Sequence, residues 1–154
     1  MVAGLASGAG FSASTDMHAT GGVTLDWHAT NSLADIRGGD WDVVVLQDQS
    51  QRPSFGSSYV YGAILPGVTS LVKAIRDTNP CTVPLFFQTW GKKDGDVHNC
   101  ANGATVLCTY EGVQDQLSQA YSTLAYENQP AKVAPAGEAW RTYSNRNSLF
   151  TGSL

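Results

Sequence analysis

Gln47, Asp48, Gln49 and Ser50 place four hydrogen-bonding side chains at consecutive positions, directly after four apolar residues, Val43 to Leu46. A short apolar run with polar flanks reads as a buried strand. The amides and the carboxylate therefore stand where a strand hands the chain to a loop. A side-chain amide offers two N–H donors and no charge. That suits it to stabilise the oxyanion of acyl transfer, where one preorganised donor contributes about 3 kcal/mol. The same amide also ties a loop to its own backbone, and both uses stay open on these residues alone. A second polar strand end, Gln88, Thr89 and Trp90, follows "CTVPLFF".

Other side chains compete for a chemical role. Ser50 has His18, His28 and His98 as candidate bases, but it lies in no Gly-x-Ser-x-Gly elbow. Asp94, Asp96 and His98 offer three oxygen or nitrogen ligands in five residues, yet the further acidic ligands and late Glu of a calcium loop are missing. The spacing favours solvated loop residues, and no metal is expected. Trp90 is a candidate floor for a sugar pocket, whereas Trp140, on a short helix, reads as a core residue. Cys100 and Cys108 flank "ANGATVL" and are expected to close a disulfide, leaving Cys81 as a free thiol or the partner of a cysteine elsewhere. Buried thiols in a reducing compartment are the alternative.

The elements that must position these residues alternate in type. Small residues over 1–10 read as a helix end stopped by Gly8 and Gly10. The first half of 11–22 reads as a strand, closing in the pair Gly21–Gly22. Leu25, Leu33 and Ile36 have helical spacing, with Thr24 as N-cap and Gly38 as stop. Val60, Ile64, Val68, Leu71, Val72 and Ile75 form one helical stripe, in which Pro66 either kinks the helix or begins its main part. Residues 81–90 read as a strand and 91–108 as loop. A helix over 109–129 is marked by Val113, Leu117, Ala120, Tyr121 and Leu124. "AKVAP" is a short strand, and "AGEAWRTYSNR" a short helix.

Alternating strands and helices predict an α/β fold, a three-layer α/β/α sandwich with a parallel sheet of the flavodoxin-like kind. The continuous apolar run "VVVL" fits a strand covered on both faces. Ligands in such sheets bind beyond the carboxyl ends of the strands, which would bring Gln47, Gln49 and Trp90 to one crevice. The 154 residues are one domain's worth of chain. Only 14% are charged, against roughly 25% in an ordinary soluble domain, a composition common in secreted proteins. The net charge of −4 gives no electrostatic reason to expect nucleic acid or an anionic membrane. No apolar run approaches the ~20 residues of a membrane span. The start has no basic segment of a signal peptide, so an extracytoplasmic location would rest on a leader outside these residues.

"VVVL" followed by "QDQS" resembles the third conserved block of the SGNH (GDSL-type) hydrolases, in a branch carrying Leu-Gln-x-Gln-Ser. "FFQTWGKKDGD" is similar to that branch's later strand, and "GEAWR" to its last one. Gly21–Gly22 resembles the second block, whose backbone N–H helps form the oxyanion hole. By this resemblance Gln49 takes the place of the oxyanion-binding Asn, and Gly22 supplies the backbone donor. Gln47 falls at the Gly place, Asp48 at the variable place and Ser50 at the final Asp place. Gln47, Ser50, Trp90 and His18 would face substrate. The family's Gly-Asp-Ser nucleophile and Asp-x-x-His base segments are not in this sequence, which ends in "NSLFTGSL". The resemblance thus implies a single SGNH-like domain over 1–154, incomplete at both ends. It would be an ester hydrolase of small-molecule or carbohydrate acyl esters, free of cofactors, with neither nucleophile nor base in this chain. A non-catalytic α/β module binding a glycan or polyol is the alternative, and a complete small enzyme with an unrecognised site is a third.

Overall fold

The computed structural model describes residues 2–146, so the segment from Asn147 onward lies outside it. The chain has an α/β fold of the flavodoxin-like kind, a parallel sheet flanked by helices. Three strands, β1 (Val43–Leu46), β2 (Val83–Phe87) and β3 (Lys132–Ala134), lie in the order β1-β2-β3. Val45 pairs with Leu85, and Phe86 with Val133. The crossovers run through α5 (Leu65–Thr78) and α7 (Tyr110–Glu127), as parallel pairing requires.

Alternation along a strand sends successive side chains to opposite faces. Leu46 and Phe86 join a core built from the stripe of α5 and from Leu117, Tyr121 and Leu124 of α7, with Val44 and Val133 packed against it. Val43 and Val45, on the other face of β1, are 47% and 56% exposed. Burial on both faces, the expectation for "VVVL", therefore does not hold for this strand. β1 is the sheet edge, and Val43 and Val45 are left open.

Pro66 lies inside a continuous helical run: a short helix α4 (Ser57–Tyr59) and a π-helical turn, Val60–Ile64, lead directly into α5, of which Pro66 is the second residue. The π-helical turn, one of the devices by which a helix accommodates a residue that cannot donate, immediately precedes the proline. The 22-residue run Ser57–Thr78 is long and apolar enough to cross a membrane. Its Val60, Ile64, Val68, Leu71 and Ile75 are in the core.

Several boundaries differ from expectation. The predicted strand in 11–16 has no regular structure, and the surrounding residues 9–20 are exposed. A strand needs a neighbour to pair with, and these residues pair with none of the three strands. The predicted helix 24–38 is two helices, α2 (Leu25–Asn31) and α3 (Leu33–Arg37), joined at Ser32. Ser32 Oγ lies 2.6 Å from Nδ1 of His28. The predicted loop 91–108 holds a short helix, α6 (Val97–Ala101), and a 3₁₀ turn over Thr105–Cys108. Cys100 and Cys108 are disulfide-bonded and Cys81 is an exposed free thiol, as expected. "GEAWR" lies not on a strand but in the first half of helix α8 (Ala136–Arg146), just after β3.

Candidate functional site

The turn after β1 is organised by Asp48. Its side chain is fully buried. Oδ1 accepts from the backbone N–H of Leu25 at 3.0 Å and of Gln49 at 2.8 Å, and Nη1 of Arg52 donates to it at 3.2 Å. Leu25 begins α2, just after the Gly21–Gly22 turn, so one carboxylate fastens that turn's helix to the end of β1. Arg52 also donates to Asp26 at 2.7 Å and to the Tyr59 hydroxyl at 3.1 Å. Its guanidinium lies over the Tyr59 ring. Burial pushes the Asp48 carboxyl above its ordinary range, and the bonds from Leu25, Arg52 and Gln49 only partly offset this. Burial opposes charge on Arg52 as well, but Tyr59, Asp26 and Asp48 outweigh it and hold the guanidinium charged.

Gln49 folds back on its own loop. Oε1 accepts from the backbone N–H of Gln51 at 3.1 Å and of Arg52 at 3.2 Å. Those two bonds use the carbonyl end of the amide, and the NH₂ end makes no hydrogen bond among the described residues. Gln49 is therefore both a loop tie and an anchored, uncharged donor. Gly22 has φ +76°, a left-handed conformation that suits glycine, and space around it is open.

Across the crevice, the end of β2 is held by a second network. The Thr89 hydroxyl donates to the Ser50 carbonyl at 3.2 Å, joining the two strand ends. Gly91 N–H donates to Oε1 of the buried Gln114 at 3.0 Å, which pins both sides of Trp90. Nε2 of Gln114 donates to Glu138 at 3.1 Å, and the Ser118 hydroxyl also donates to Glu138. Gln88 Nε2 reaches Ser118 at 2.9 Å, while its Oε1 is buried without a partner. Arg141 binds both oxygens of Glu138 and reaches Asp115 at 2.5 Å. Burial pushes Glu138 up, but Ser118, Arg141 and Gln114 together hold its carboxyl below the ordinary range.

Between these networks lies a shallow, open concavity lined by Ser50, Gln51, Trp90, Lys92, Asp96 and Val113. Asp96 caps α6, accepting from Asn99 N–H at 3.3 Å, and takes Nε2 of Gln51 at 3.1 Å. Its carboxylate is thus engaged in protein bonds, and no group of three or more metal-ligating side chains occurs among the described residues. Of the residues expected to face substrate, Ser50 and Trp90 line this concavity. Gln47 is exposed and does not line it. His18 is elsewhere, paired with Asp35 and packed edge-on against Trp27 and His28. It belongs to the α2–α3 surface because Asp35 holds its ring there. Burial and then the His18 charge lower the pKa of His28.

Trp140 is not a core residue. It is 40% exposed beside Trp90, at 53%, with ring centroids 6.3 Å apart, and Tyr143 continues the row at 6.1 Å. The signal was present in the sequence, since residues three apart on a helix share a face. Gln114 and Glu138 gave no comparable sign. One lies in a helix stripe and the other in a helix start, where Glu is common for reasons of the helix dipole.

No protein-family model and no curated protein matches this sequence. Among solved structures, the chain is similar to the crystal structure of a DUF4886 family protein from Bacteroides uniformis ATCC 8492, with a TM-score of 0.63 at 19% identity. The match covers 79% of this chain and 55% of the other, so the chain spans little more than half the length of that neighbour. At that identity the likeness establishes the fold alone, an α/β architecture shared over most of this chain.

Proposed function

We propose that this chain carries the oxyanion-binding side of an SGNH-type ester hydrolase, acting on small-molecule or carbohydrate acyl esters. The observation behind this is the anchored amide of Gln49. Two backbone N–H groups hold its carbonyl end, so its NH₂ is pre-set as a donor at the carboxyl end of β1, where parallel sheets bind ligands. Asp48 supports the same reading, because its bond to Leu25 N–H keeps the Gly21–Gly22 turn attached to this strand end. In the proposed reaction the Gln49 NH₂ and the Gly22 N–H donate to the tetrahedral oxyanion, each about 3 Å from it. No Gly-Asp-Ser segment is present in the sequence, so the reading assigns nucleophile and base to residues outside this chain.

The test is an esterase assay on the protein translated with the sequence flanking this chain in its gene, using short-chain acyl esters and acetylated sugars. Hydrolysis is expected, and Gln49→Ala should lower kcat by roughly 10²-fold with KM little changed, because the bond tightens mainly in the transition state. Hydrolysis that survives Gln49→Ala intact would reduce Gln49 to a loop tie. No hydrolysis of any ester would remove the proposal.

A further inference from the structure

Both crossover helices, α5 and α7, pack on one face of the sheet, as right-handed connections require when the strands follow in the order β1-β2-β3. The other face carries Val43, Val45, Val83, Leu85 and Phe87, with Val43 in register with Val83 and Val45 with Leu85. None of the five belongs to the core or packs against it. A parallel sheet is ordinarily covered on both faces. The same chain has a second uncovered apolar element. Helix α1 (Val2–Gly8) ends in a Schellman turn, with Gly10 at φ +81° and the Phe11 N–H donating to the Ala6 carbonyl at 2.9 Å. Leu5 and Phe11 are nonetheless 70% and 72% exposed, and no charged side chain precedes Asp16. A helix of 7 residues does not hold together in water without packing. The chain exposes 9204 Å², against about 7,500 Å² for a compact monomer of its mass. The excess is on the order of 1,700 Å², above the roughly 800 Å² that each partner contributes to a stable interface.

We infer that this chain forms a two-fold dimer in which the α1 arm of each copy lies on the open sheet face of the other. Size, charge and origin select this occupant. Three short strands present a face of about 14 Å by 17 Å. Sheet-to-sheet contact over that footprint falls well short of a stable interface, whereas the footprint accepts one helix about 10–12 Å across. The face is as neutral as the arm. Among the paired strand residues the one charge is Lys132, on β3, so a charged partner finds little to bind there. The arm leaves from His18, which Asp35 fixes on α3. Helices α2 and α3 pack on α5, on the covered side of the sheet, so the root of the arm lies across the sheet from its own open face. The ~10 residues from His18 back to Gly8 span at most about 33–36 Å, enough to carry α1 past the β1 edge to a neighbouring copy. Each copy then gives and receives one arm, an isologous contact that closes at two. The inference does not need the hydrolase reading, since the face and the arm lie outside the proposed oxyanion site.

The experiment is sedimentation of this chain over a dilution series, joined to cross-linking between two introduced thiols. A dimer is expected. Val45→Lys and Leu5→Asp should each weaken it by roughly tenfold or more, since each buries a charge without a partner. Val106→Lys, on an exposed residue of another turn, should leave it unchanged. Thermal melts show whether the variants fold, and Leu5→Asp, outside the core, keeps the test open if Val45→Lys does not. With the exposed thiol removed by Cys81→Ser, a chain carrying Leu5→Cys and Val45→Cys should be linked to a second chain by a short bismaleimide. A chain that stays monomeric overturns the inference, as does a dimer that neither variant weakens. Assembly that grows beyond two copies overturns it as well. A link formed within one chain would place the arm on its own sheet and overturn the exchange. A dimer of this chain that disappears when the sequence flanking it in its gene is present would assign the face to that sequence and also overturn it.

Discussion

Asp48–Arg52 and Glu138–Arg141 are both carboxylate–guanidinium pairs close in sequence, one at the end of β1 and the other beside the ends of β2 and β3, yet their carboxyl groups shift in opposite directions. Asp48 is wholly removed from solvent, and the loss of hydration outweighs two backbone N–H groups and one guanidinium. Glu138 keeps 35% of its side-chain surface in contact with solvent. It gains a hydroxyl, an amide and a chelating guanidinium for a smaller desolvation cost. The sign of the shift is therefore set by how much water each carboxylate gives up against how many donors replace it. Asp48 holds a turn together at an electrostatic cost, whereas Glu138 ties α8 to α7 and gains by doing so.

The largest test removes Arg52. Arg52→Met leaves Asp48 buried without its counter-charge, and breaking one partner of a buried pair costs about 3–5 kcal/mol. Asp48→Asn should cost less, about 1–2 kcal/mol, because its side-chain oxygen still accepts from Leu25 and Gln49. The double variant should be more stable than Arg52→Met alone. Denaturant unfolding at pH 7 measures all three. A double variant no better than Arg52→Met would mean that the lost contacts with Tyr59 and Asp26, and not the stranded charge, set the cost.

A second test asks how tightly the Glu138 side of the comparison is packed. A Cβ on Gly137 would lie 2.2 Å from the Thr89 carbonyl oxygen and 2.6 Å from the Gln114 amide nitrogen. Gly137→Ala must push the start of α8 off the end of β2, at about 1–3 kcal/mol. It should also move the Trp140 indole signal away from that of the parent protein, because α8 carries this ring. An unshifted Trp140 with full stability would show that the network yields easily and does not hold the aromatic row.

Legibility in the sequence followed the same division. The stripes of α5 and α7 and the runs of β1 and β2 were readable because burial imposes a period on them. The two strand ends were readable because a polar cluster after an apolar run marks a crevice in a parallel sheet. The Cys100–Cys108 bridge was readable from its position around a loop. Asp48 was passed over as a variable position, although Asp48 and Arg52 form an i,i+4 pair of opposite charge in a chain with few charges. Its importance lies in the contact with Leu25, twenty-three residues away, and no local pattern encodes that. The predicted strand in 11–16 failed for the converse reason. Local β propensity was present there, but strand formation depends on a neighbour.

The smallest effect is the one that separates the two pairs most cleanly, their response to pH. Glu138 has a folded pKa below its ordinary value of 4.5. Its contribution to stability is therefore fully present above that value and is lost as pH falls through the folded value. Asp48 has a folded pKa above its ordinary 3.8. Its protonated form is the one favoured by folding, so its contribution is present below 3.8 and is lost as pH rises through the folded value. Glu138→Gln should cost about 1 kcal/mol near neutrality, the partial exposure of Glu138 keeping the figure low. That cost should shrink as the pH falls from about 4.5 through the lower folded value, below which the parent protein also carries a neutral side chain. Asp48→Asn should do the opposite in relative terms, comparing best with the parent at neutral pH and worst in acid. Urea midpoints of the parent and both variants, measured from pH 7 down to about 3, where carboxyl groups of ordinary pKa are mostly protonated, give two difference curves of opposite slope. Parallel curves would mean that burial and donor count do not distinguish these two carboxylates.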